Sequence, residues 1–211
     1  MRPPPTRRRC GCCSTMTPSY VSARCWSADP ERIVANDMKR DSYGMFGNET
    51  FSVVLDTFHD QRNGFLFVTN ALGALFDATI TNERTPNIDW NTVWDVRTSR
   101  FEQGWTVEMA LPFRSLRFRS GPDQVWGINV QRWVTSTNEV SFLTEIPASL
   151  GFNGLFKFSS AATLVGLQIP ASGRRIDIKP YAISDATTDL NATPPQSNAL
   201  AETSESTSRW A

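Results

Sequence analysis

The chain has 211 residues, of which 40% are hydrophobic and 20% are charged, so it can bury a core and wholesale disorder is excluded. Its 21 basic residues balance its 21 acidic residues, which excludes a global field that would attract nucleic acid or anionic lipid. No run approaches the roughly 18 apolar residues of a membrane-spanning helix, and the first residues do not form a secretory signal. The length suits one domain of about 150 residues with extensions.

The first 18 residues show no apolar periodicity, because MRPPPTRRRCGCCSTM is dense in Arg, Pro and Cys. We predict an irregular segment over residues 1–18, which a truncated or frame-shifted gene start would explain. Cys10, Cys12 and Cys13 could be metal ligands, but Cys-x-Cys-Cys lacks a second ligand pair at usable spacing. The spacing therefore favours an accidental cluster, and Cys25 in YVSARCW is expected to be a small core residue.

From residue 20 onward, apolar and polar residues alternate between turn-forming clusters, a pattern typical of half-buried strands. The predicted strands are 20–26, 50–57, 64–70, 73–81, 92–98, 104–111, 125–134 and 139–143. PFRSL at 112–116 predicts one helical turn. The fold class is therefore all-β: an antiparallel β-sandwich with short helical turns. Its predicted core includes Phe51, Val53, Leu55, Phe67, Val107, Met109, Trp126 and Ile128.

Three motifs in this region carry a family resemblance: FSVVLDTFHDQRNGFLFVTNALGALFD, GWTVEMALPFRSLRF and VWGINVQRWVTSTNEVSFLTEIP. They resemble the carbohydrate-binding module family 9-like domain, in the form found at the N-terminus of bacterial envelope proteins whose remainder is a predicted outer-membrane β-barrel. The likeness covers about residues 20–190. It implies a two-sheet, immunoglobulin-like sandwich over 19–165 and a linker over 166–190 toward a barrel, while the Ser/Thr-rich composition of 191–211 predicts a disordered tail.

The resemblance also implies a function. The expected role is a non-catalytic carbohydrate-binding module of the bacterial cell envelope, in the periplasm or outer membrane, linked to carbohydrate catabolism. Its expected partners are an oligo- or polysaccharide and the C-terminal barrel of a longer parent protein, with no nucleic acid. Two alternatives stay open: a domain associated with hydrolysis of O-glycosyl bonds, and a structural vestibule of the barrel.

Sugar-binding sites combine aromatic faces with amides, carboxylates and guanidinium groups. Trp105 and Trp126 are in phase with apolar strand residues, which predicts core positions. Trp133 lies on the face opposite Trp126 and Trp90 lies in a loop. These two are the better candidates for a stacking surface.

Five polar residues interrupt the predicted strands: Asn70, Asp77, Glu108, Asn129 and Arg132. A charge within a strand is exposed on an outer face or paired in a cleft. The set therefore predicts a polar cleft for a hydroxyl-rich ligand, a solvated sheet face, or a structural pair of Glu108 with Arg132. In the resembled family, sugar contacts include a carboxylate in the strand matching FSVVLD and an Asn in the strand matching WGIN. Asn129 retains the second, whereas Ser52 replaces the first.

The segment DTFHDQRNG offers oxygen ligands that Ca²⁺ prefers, from Asp56, Asp60 and Asn63. The spacing does not match an EF-hand loop and is also typical of a hairpin turn, which is the favoured interpretation. The resembled modules often carry structural calcium, so a Ca²⁺ site stays open. For the hydrolase alternative, Asp77 and Glu108 are the carboxylates that could be nominated.

Overall fold

The computed structural model describes residues 8–14, 18–121, 123–169, 183–185, 188–189, 196–197 and 201–203. The chain divides into two compact units, residues 1–171 and 172–211. In the second unit, Ile183–Asp185 pairs with Ala201–Thr203, and Thr188–Asp189 pairs with Gln196–Ser197. The predicted linker 166–190 and tail 191–211 lie largely outside the described residues. In the part of the chain that the structure describes, no helix is long and apolar enough to cross a membrane.

The regular secondary structure of the first unit consists of strands and short 3-10 helices. The strands are β1 Arg8–Ser14, β2 Pro18–Trp26, β3 Thr50–Asp56, β4 Gly64–Asn70, β5 Leu75–Thr81, β6 Thr85–Asn87, β7 Asp95–Phe101, β8 Gly104–Pro112, β9 Asp123–Val134, β10 Glu139–Phe142 and β11 Ala162–Gln168. Short 3-10 helices lie at Pro30–Arg32, Tyr43–Gly47, Phe113–Ser115, Thr135–Thr137, Ala148–Phe156 and Phe158–Ser160.

The strands form two antiparallel sheets that pack face to face. Sheet A has the order β1-β2-β8-β7. Sheet B has the order β10-β9-β3-β4-β5-β6, and β11 pairs with the first half of β9 while β10 pairs with its second half. The predicted antiparallel β-sandwich is therefore confirmed.

The core between the sheets follows the period-2 alternation of the sequence. All eight predicted core residues are buried: Phe51, Val53, Leu55, Phe67, Val107, Met109, Trp126 and Ile128. They belong to one apolar cluster that also contains Val21, Cys25 and Trp105. Because residues of both sheets enter this cluster, it holds the sandwich together.

A second apolar cluster covers the outer face of sheet B, which sequence alternation alone would leave to solvent. Val54, Leu66, Val68 and Phe76 lie on this face and pack against Leu155 and other residues of the 148–160 region. Every residue of β3 is buried, and β4 carries apolar residues on both faces, which is the pattern of a strand that is buried on both sides. Sheet B is thus the middle layer of the domain.

Three strands of the first unit were not predicted from the sequence. The segment expected to be irregular, residues 1–18, contains β1, whose residues Arg8 to Ser14 pair with Cys25 to Ser19 of β2. This ladder rests on backbone hydrogen bonds to an edge strand, which need no apolar alternation. The other two are β6, which has only three residues, and β11, which lies in residues 151–169, a region rich in Gly, Phe and Ser.

Candidate functional site

Four polar side chains form a compact block on the outer face of sheet B. Thr50 pairs with Trp133 and Ser52 with Gln131 across β3 and β9, so the four residues are cross-strand neighbours. Thr50 Oγ1, Ser52 Oγ, Gln131 Oε1 and Trp133 Nε1 are each buried and have no hydrogen-bond partner among the described residues. Buried polar atoms are nearly always paired, so four adjacent exceptions indicate a place for a polar ligand or water. We call these four residues the polar block.

A line of aromatic rings runs beside the polar block. The ring of Phe152 lies between those of Trp133 and Phe46, with centroid distances of 5.9 and 5.4 Å. Phe46 in turn contacts Tyr43 at 6.3 Å, and Tyr43 is 67% exposed. We call Trp133, Phe152, Phe46 and Tyr43 the aromatic stripe. Aromatic faces next to hydrogen-bonding groups are the combination that a pyranose ring requires.

The segment Ala148–Phe156 lies over the polar block and is called the cover segment. The Phe152 carbonyl oxygen accepts a hydrogen bond from Gln131 Nε2 at 2.8 Å. A Cβ on Gly154 would lie 2.4 Å from Ile146 Cγ2, so any other residue at this position would force its neighbours to move. The cover segment therefore encloses the block through close packing and one direct hydrogen bond.

A carboxylate on the β5–β6 turn secures the chain just after the cover segment. Glu83 accepts hydrogen bonds from Lys157 Nζ at 2.6 Å and from the Ser159 backbone N–H at 2.7 Å. Burial acts to raise the pKa of Glu83, but these hydrogen bonds and the Lys157 charge outweigh it, so the pKa lies below its ordinary value. The ionised form is thus the one that stabilises the fold.

Replacing Glu83 by Gln is expected to lower Tm by about 2 to 4 °C at pH 7, since about 1 kcal/mol of charge-assisted bonding is lost. Because the pKa of Glu83 is lower in the folded state, its ionisation stabilises the fold above the pKa of the unfolded state, about 4.3. This stabilisation disappears as the pH falls through the pKa of the folded state. The difference between Glu83→Gln and wild type should therefore shrink below about pH 4. Thermal unfolding from pH 7 to pH 3 checks this, with the exposed Glu102→Gln as control. A difference that stays constant over that range would contradict the assignment.

Two of the predicted amides lie on the outer face of sheet B with the polar block. Asn70 Oδ1 accepts hydrogen bonds from the backbone N–H groups of Leu72 and Ala74, which shapes the β4–β5 turn. Asn129 exchanges hydrogen bonds with Thr144: its Nδ2 donates to Oγ1 at 2.9 Å, and its Oδ1 accepts from the backbone N–H at 3.3 Å. Both amides position turns next to the block, and their direct contact with a ligand stays a prediction.

Asp77 lies on the inner face of sheet B and is fully buried. Its Oδ2 accepts hydrogen bonds from Trp94 Nε1 at 3.0 Å and from Arg40 Nη2 at 2.5 Å, and its Oδ1 accepts from the Thr92 backbone N–H. Burial raises the pKa of Asp77, although the Trp94 bond and the Arg40 charge act in the opposite direction. These contacts fix the connection between β6 and β7 in place, and this structural role accounts for the buried carboxylate of Asp77.

The two candidate stacking tryptophans occupy different places. Trp133 lies on the outer face of sheet B, as its strand phase predicted, and belongs to both the polar block and the aromatic stripe. Trp90 is half-buried in the β6–β7 connection and packs on Phe65 with a centroid distance of 4.9 Å. Trp90 therefore closes the edge of the inner core, whereas Trp133 borders the unpaired polar atoms.

Arg132 is buried on the inner face of sheet B, and its acidic partner is Glu49 rather than the expected Glu108. Arg132 Nη2 donates to Glu49 Oε1, and Nη1 donates to the Trp26 carbonyl oxygen. Trp105 Nε1 of sheet A also donates to Glu49 Oε1, at 3.2 Å. The predicted Glu108–Arg132 pair is wrong because Glu108 lies on the outer face of sheet A, whereas Arg132 lies on the inner face of sheet B. The observed cluster instead joins both sheets where the chain passes from β2 to β3.

Glu108 is exposed on the outer face of sheet A, where Arg97 and Ser22 are its cross-strand neighbours. Asp77, the other carboxylate nominated for a glycosidase, is buried on the inner face of sheet B. The two therefore do not flank a common cleft, which glycoside hydrolysis by a carboxylate pair requires. The seven predicted ligand residues are thus divided among separate surfaces, and Asn70, Asn129 and Trp133 share the one that carries the polar block.

The DTFHDQRNG segment folds as a turn whose carboxylates accept hydrogen bonds from its own backbone. Asp56 accepts hydrogen bonds from the backbone N–H groups of Asp60 and Gln61, and Asp60 accepts from those of Arg62 and Asn63. These donors point at the carboxylate oxygens that a cation would need. No group of three or more His, Cys, Asp or Glu residues in the described ranges could hold a metal ion. The donor set in this conformation does not fit Ca²⁺, and calcium binding by the domain stays a prediction from the resemblance.

No protein-family model matches the sequence, and no curated protein is similar to it in sequence. Solved structures are similar in fold. A carbohydrate binding module family 9 from Caldicellulosiruptor kristjanssonii, in complex with cellotriose, has a TM-score of 0.52 at 14% identity over 83% of this chain and 82% of that chain. The same kind of module in complex with glucose has a TM-score of 0.53 at 12% identity, over 82% and 81% of the two chains.

A carbohydrate-binding candidate from Bacteroides uniformis has a TM-score of 0.59 at 12% identity, over 76% of this chain and 78% of that chain. The likeness is one of fold. The β-sandwich of this chain is similar in architecture to that of family 9 modules, as the sequence motifs implied. At such low identity, the likeness indicates the fold and not the roles of individual residues.

Proposed function

We propose that the domain binds a saccharide, without catalysis, on the outer face of sheet B. The observation that carries the proposal is the polar block: four neighbouring side chains with buried, unpaired polar atoms beside aromatic rings. A sugar hydroxyl both donates and accepts, so one ligand could pair with the carbonyl of Gln131, the indole N–H of Trp133 and the two hydroxyls. Trp133, Phe46 and Tyr43 supply stacking surfaces.

The chemistry of the polar block favours an uncharged ligand. Thr50, Ser52, Gln131 and Trp133 carry no charge, and a buried carboxylate on the ligand would lack a cationic partner among them. Neutral sugars are therefore the class to test first. The solved family 9 modules with this fold hold cellotriose and glucose, which makes these two sugars natural probes.

A binding role fits better than hydrolysis. The nominated carboxylates, Asp77 and Glu108, lie on different sheets, and Asp77 is occupied by Arg40, Trp94 and Thr92. We further propose a cellular setting for the domain: a location in the cell envelope, a link to carbohydrate catabolism and a C-terminal barrel in a longer parent protein. Its support is the motif resemblance, and fractionation of cells that express the parent gene would test it.

Calorimetric titration with cellotriose and glucose tests the proposal. Gln131→Leu should weaken binding about fivefold, the effect of one lost neutral hydrogen bond, and Trp133→Leu should weaken it about tenfold. Glu108→Gln, on the outer face of sheet A, is the control and should bind as wild type does. Glucuronic acid should bind more weakly than glucose. Absence of binding to any neutral sugar by the folded domain would refute the proposal and favour the structural alternative.

A further inference from the structure

We propose that Phe152 occupies the place of the ligand in the closed state, so that a saccharide reaches the polar block only when residues 148–153 of the cover segment move away. This inference rests on the proposed saccharide-binding function and concerns the regulation of that site. Three features of the cover segment support it: the place of the Phe152 ring, the bond made by its carbonyl group, and the backbone conformation at Gly151.

The Phe152 ring occupies the space between two rings of the aromatic stripe. Its plane is inclined by 72° to that of Trp133 and by 86° to that of Phe46, so it meets both rings edge to face. Edge-to-face contact is a favoured arrangement for aromatic pairs. A sugar that stacks on the ring faces of Trp133 or Phe46 turned toward Phe152 needs the space that the Phe152 ring fills, so on those faces the two exclude each other.

The Phe152 carbonyl group satisfies only part of the polar block. It accepts from Gln131 Nε2, as a ligand hydroxyl oxygen would. Thr50 Oγ1, Ser52 Oγ, Gln131 Oε1 and Trp133 Nε1 stay unpaired beneath it. Buried unpaired groups disfavour the closed state, and a ligand with several hydroxyls would remove that penalty. The cover segment therefore competes with a saccharide while pairing fewer groups.

The backbone of the cover segment has a natural place to bend. Gly151 has φ of +50° and ψ of −136°, which interrupts the 3-10 geometry of the segment. Nothing lies within 4 Å of a Cβ built at this position, and residues 148–151 are exposed. On the other side, Gly154 is closely packed and Lys157 is held by Glu83. The geometry points to opening between residues 148 and 153, with residues from Gly154 onward remaining in place.

The first test needs no sugar. Hydrogen exchange of the Trp133 indole Nε1–H, followed by NMR, measures how often the cover segment opens. Phe152→Ala removes both ring contacts and should speed this exchange about tenfold. The Trp105 indole Nε1–H, bonded to Glu49, is the internal control and should not change. Asn153→Ala, an exposed neighbour in the same segment, is the matched control variant.

The second test is calorimetric titration of Phe152→Ala with cellotriose. Because the open state becomes more populated, the variant should bind about tenfold more tightly than wild type. Phe152→Leu should act in the same direction, and it replaces Phe152→Ala if that variant does not fold. Unchanged Trp133 exchange, or weaker cellotriose binding by a folded variant, would overturn the inference. Faster exchange with no sugar binding by either protein would refute the proposed function and leave Phe152 only as the residue that closes the polar block.

Discussion

Replacing Arg132 by methionine is expected to lower the free energy of unfolding by about 3 to 5 kcal/mol. Arg132 and Glu49 are both almost fully buried, and removal of the guanidinium group would leave an uncompensated carboxylate between the two sheets. The Trp26 carbonyl oxygen would also lose its donor. Chemical denaturation, with the midpoint and slope fitted separately, measures the loss.

Matched variants distinguish the loss of the buried Glu49–Arg132 pair from a general effect of net charge on stability. Glu49→Gln should be destabilising for the same reason, because it leaves the Arg132 charge unpaired. The double variant Glu49→Leu with Arg132→Met should recover much of the loss, since both charges are then absent. Glu108→Gln, at an exposed position, should change stability by no more than about 0.5 kcal/mol. A mild effect of Arg132→Met, equal to that of Glu108→Gln, would contradict the proposed anchoring role.

Replacing Asp77 by alanine is expected to cost about 3 to 5 kcal/mol as well, because Arg40 loses its buried partner and two N–H donors lose their acceptor. Trp94 Nε1 and the Thr92 backbone N–H both donate to this carboxylate. Asp77→Asn keeps one carbonyl acceptor and should be milder. Denaturant unfolding of the two variants checks the order.

The matched control for Asp77 is Asp41→Asn. Asp41 also contacts Arg40, at 3.3 Å, but its side chain is partly exposed, and the effect should stay near 1 kcal/mol or below. If folded Asp77→Ala retained full stability and lost only sugar binding, the structural assignment would be wrong. Asp77 would then return to the set of ligand-binding candidates.

Much of the fold could be predicted because strand alternation is a local property. Strand β4 has the predicted bounds, and β3 differs by one residue at its end. The β7 strand was placed three residues too early, since Thr92 and Trp94 belong to the crossing between the sheets. That crossing is fixed by Asp77, which is distant in sequence, and local patterns contain no information about it.

The charged residues of the core could have been assigned to the inner face from their phase. Glu49 is in phase with Phe51 and Val53, and Arg132 is in phase with Ile128 and Val130, so both fall on core positions. Their pairing spans 83 positions along the chain, and a local pattern, which favours the nearer Glu108, does not contain it. The face of the sheet on which each residue lies, rather than the length of the connection, decides which charges meet.

The candidate site was only partly foreseeable. Trp133 was predicted from its strand phase, whereas Ser52 was noted only as a departure from the family motif, where it replaces a carboxylate. Thr50 and Gln131 lie on the same outer face by alternation, but nothing local distinguishes them from ordinary solvent-facing residues. Their burial depends on the cover segment, and the sequence of that segment shows no strand or helix periodicity.

The most direct test of the saccharide site is an NMR titration of the isotopically labelled domain with cellotriose. We predict that the Gln131 side-chain amide and the Trp133 indole N–H signals shift and saturate with increasing sugar. The backbone signal of Glu108, on the outer face of sheet A, should not move. Saturable shifts confined to sheet A or to Trp90, or no shifts at all, would contradict a saccharide site on the outer face of sheet B.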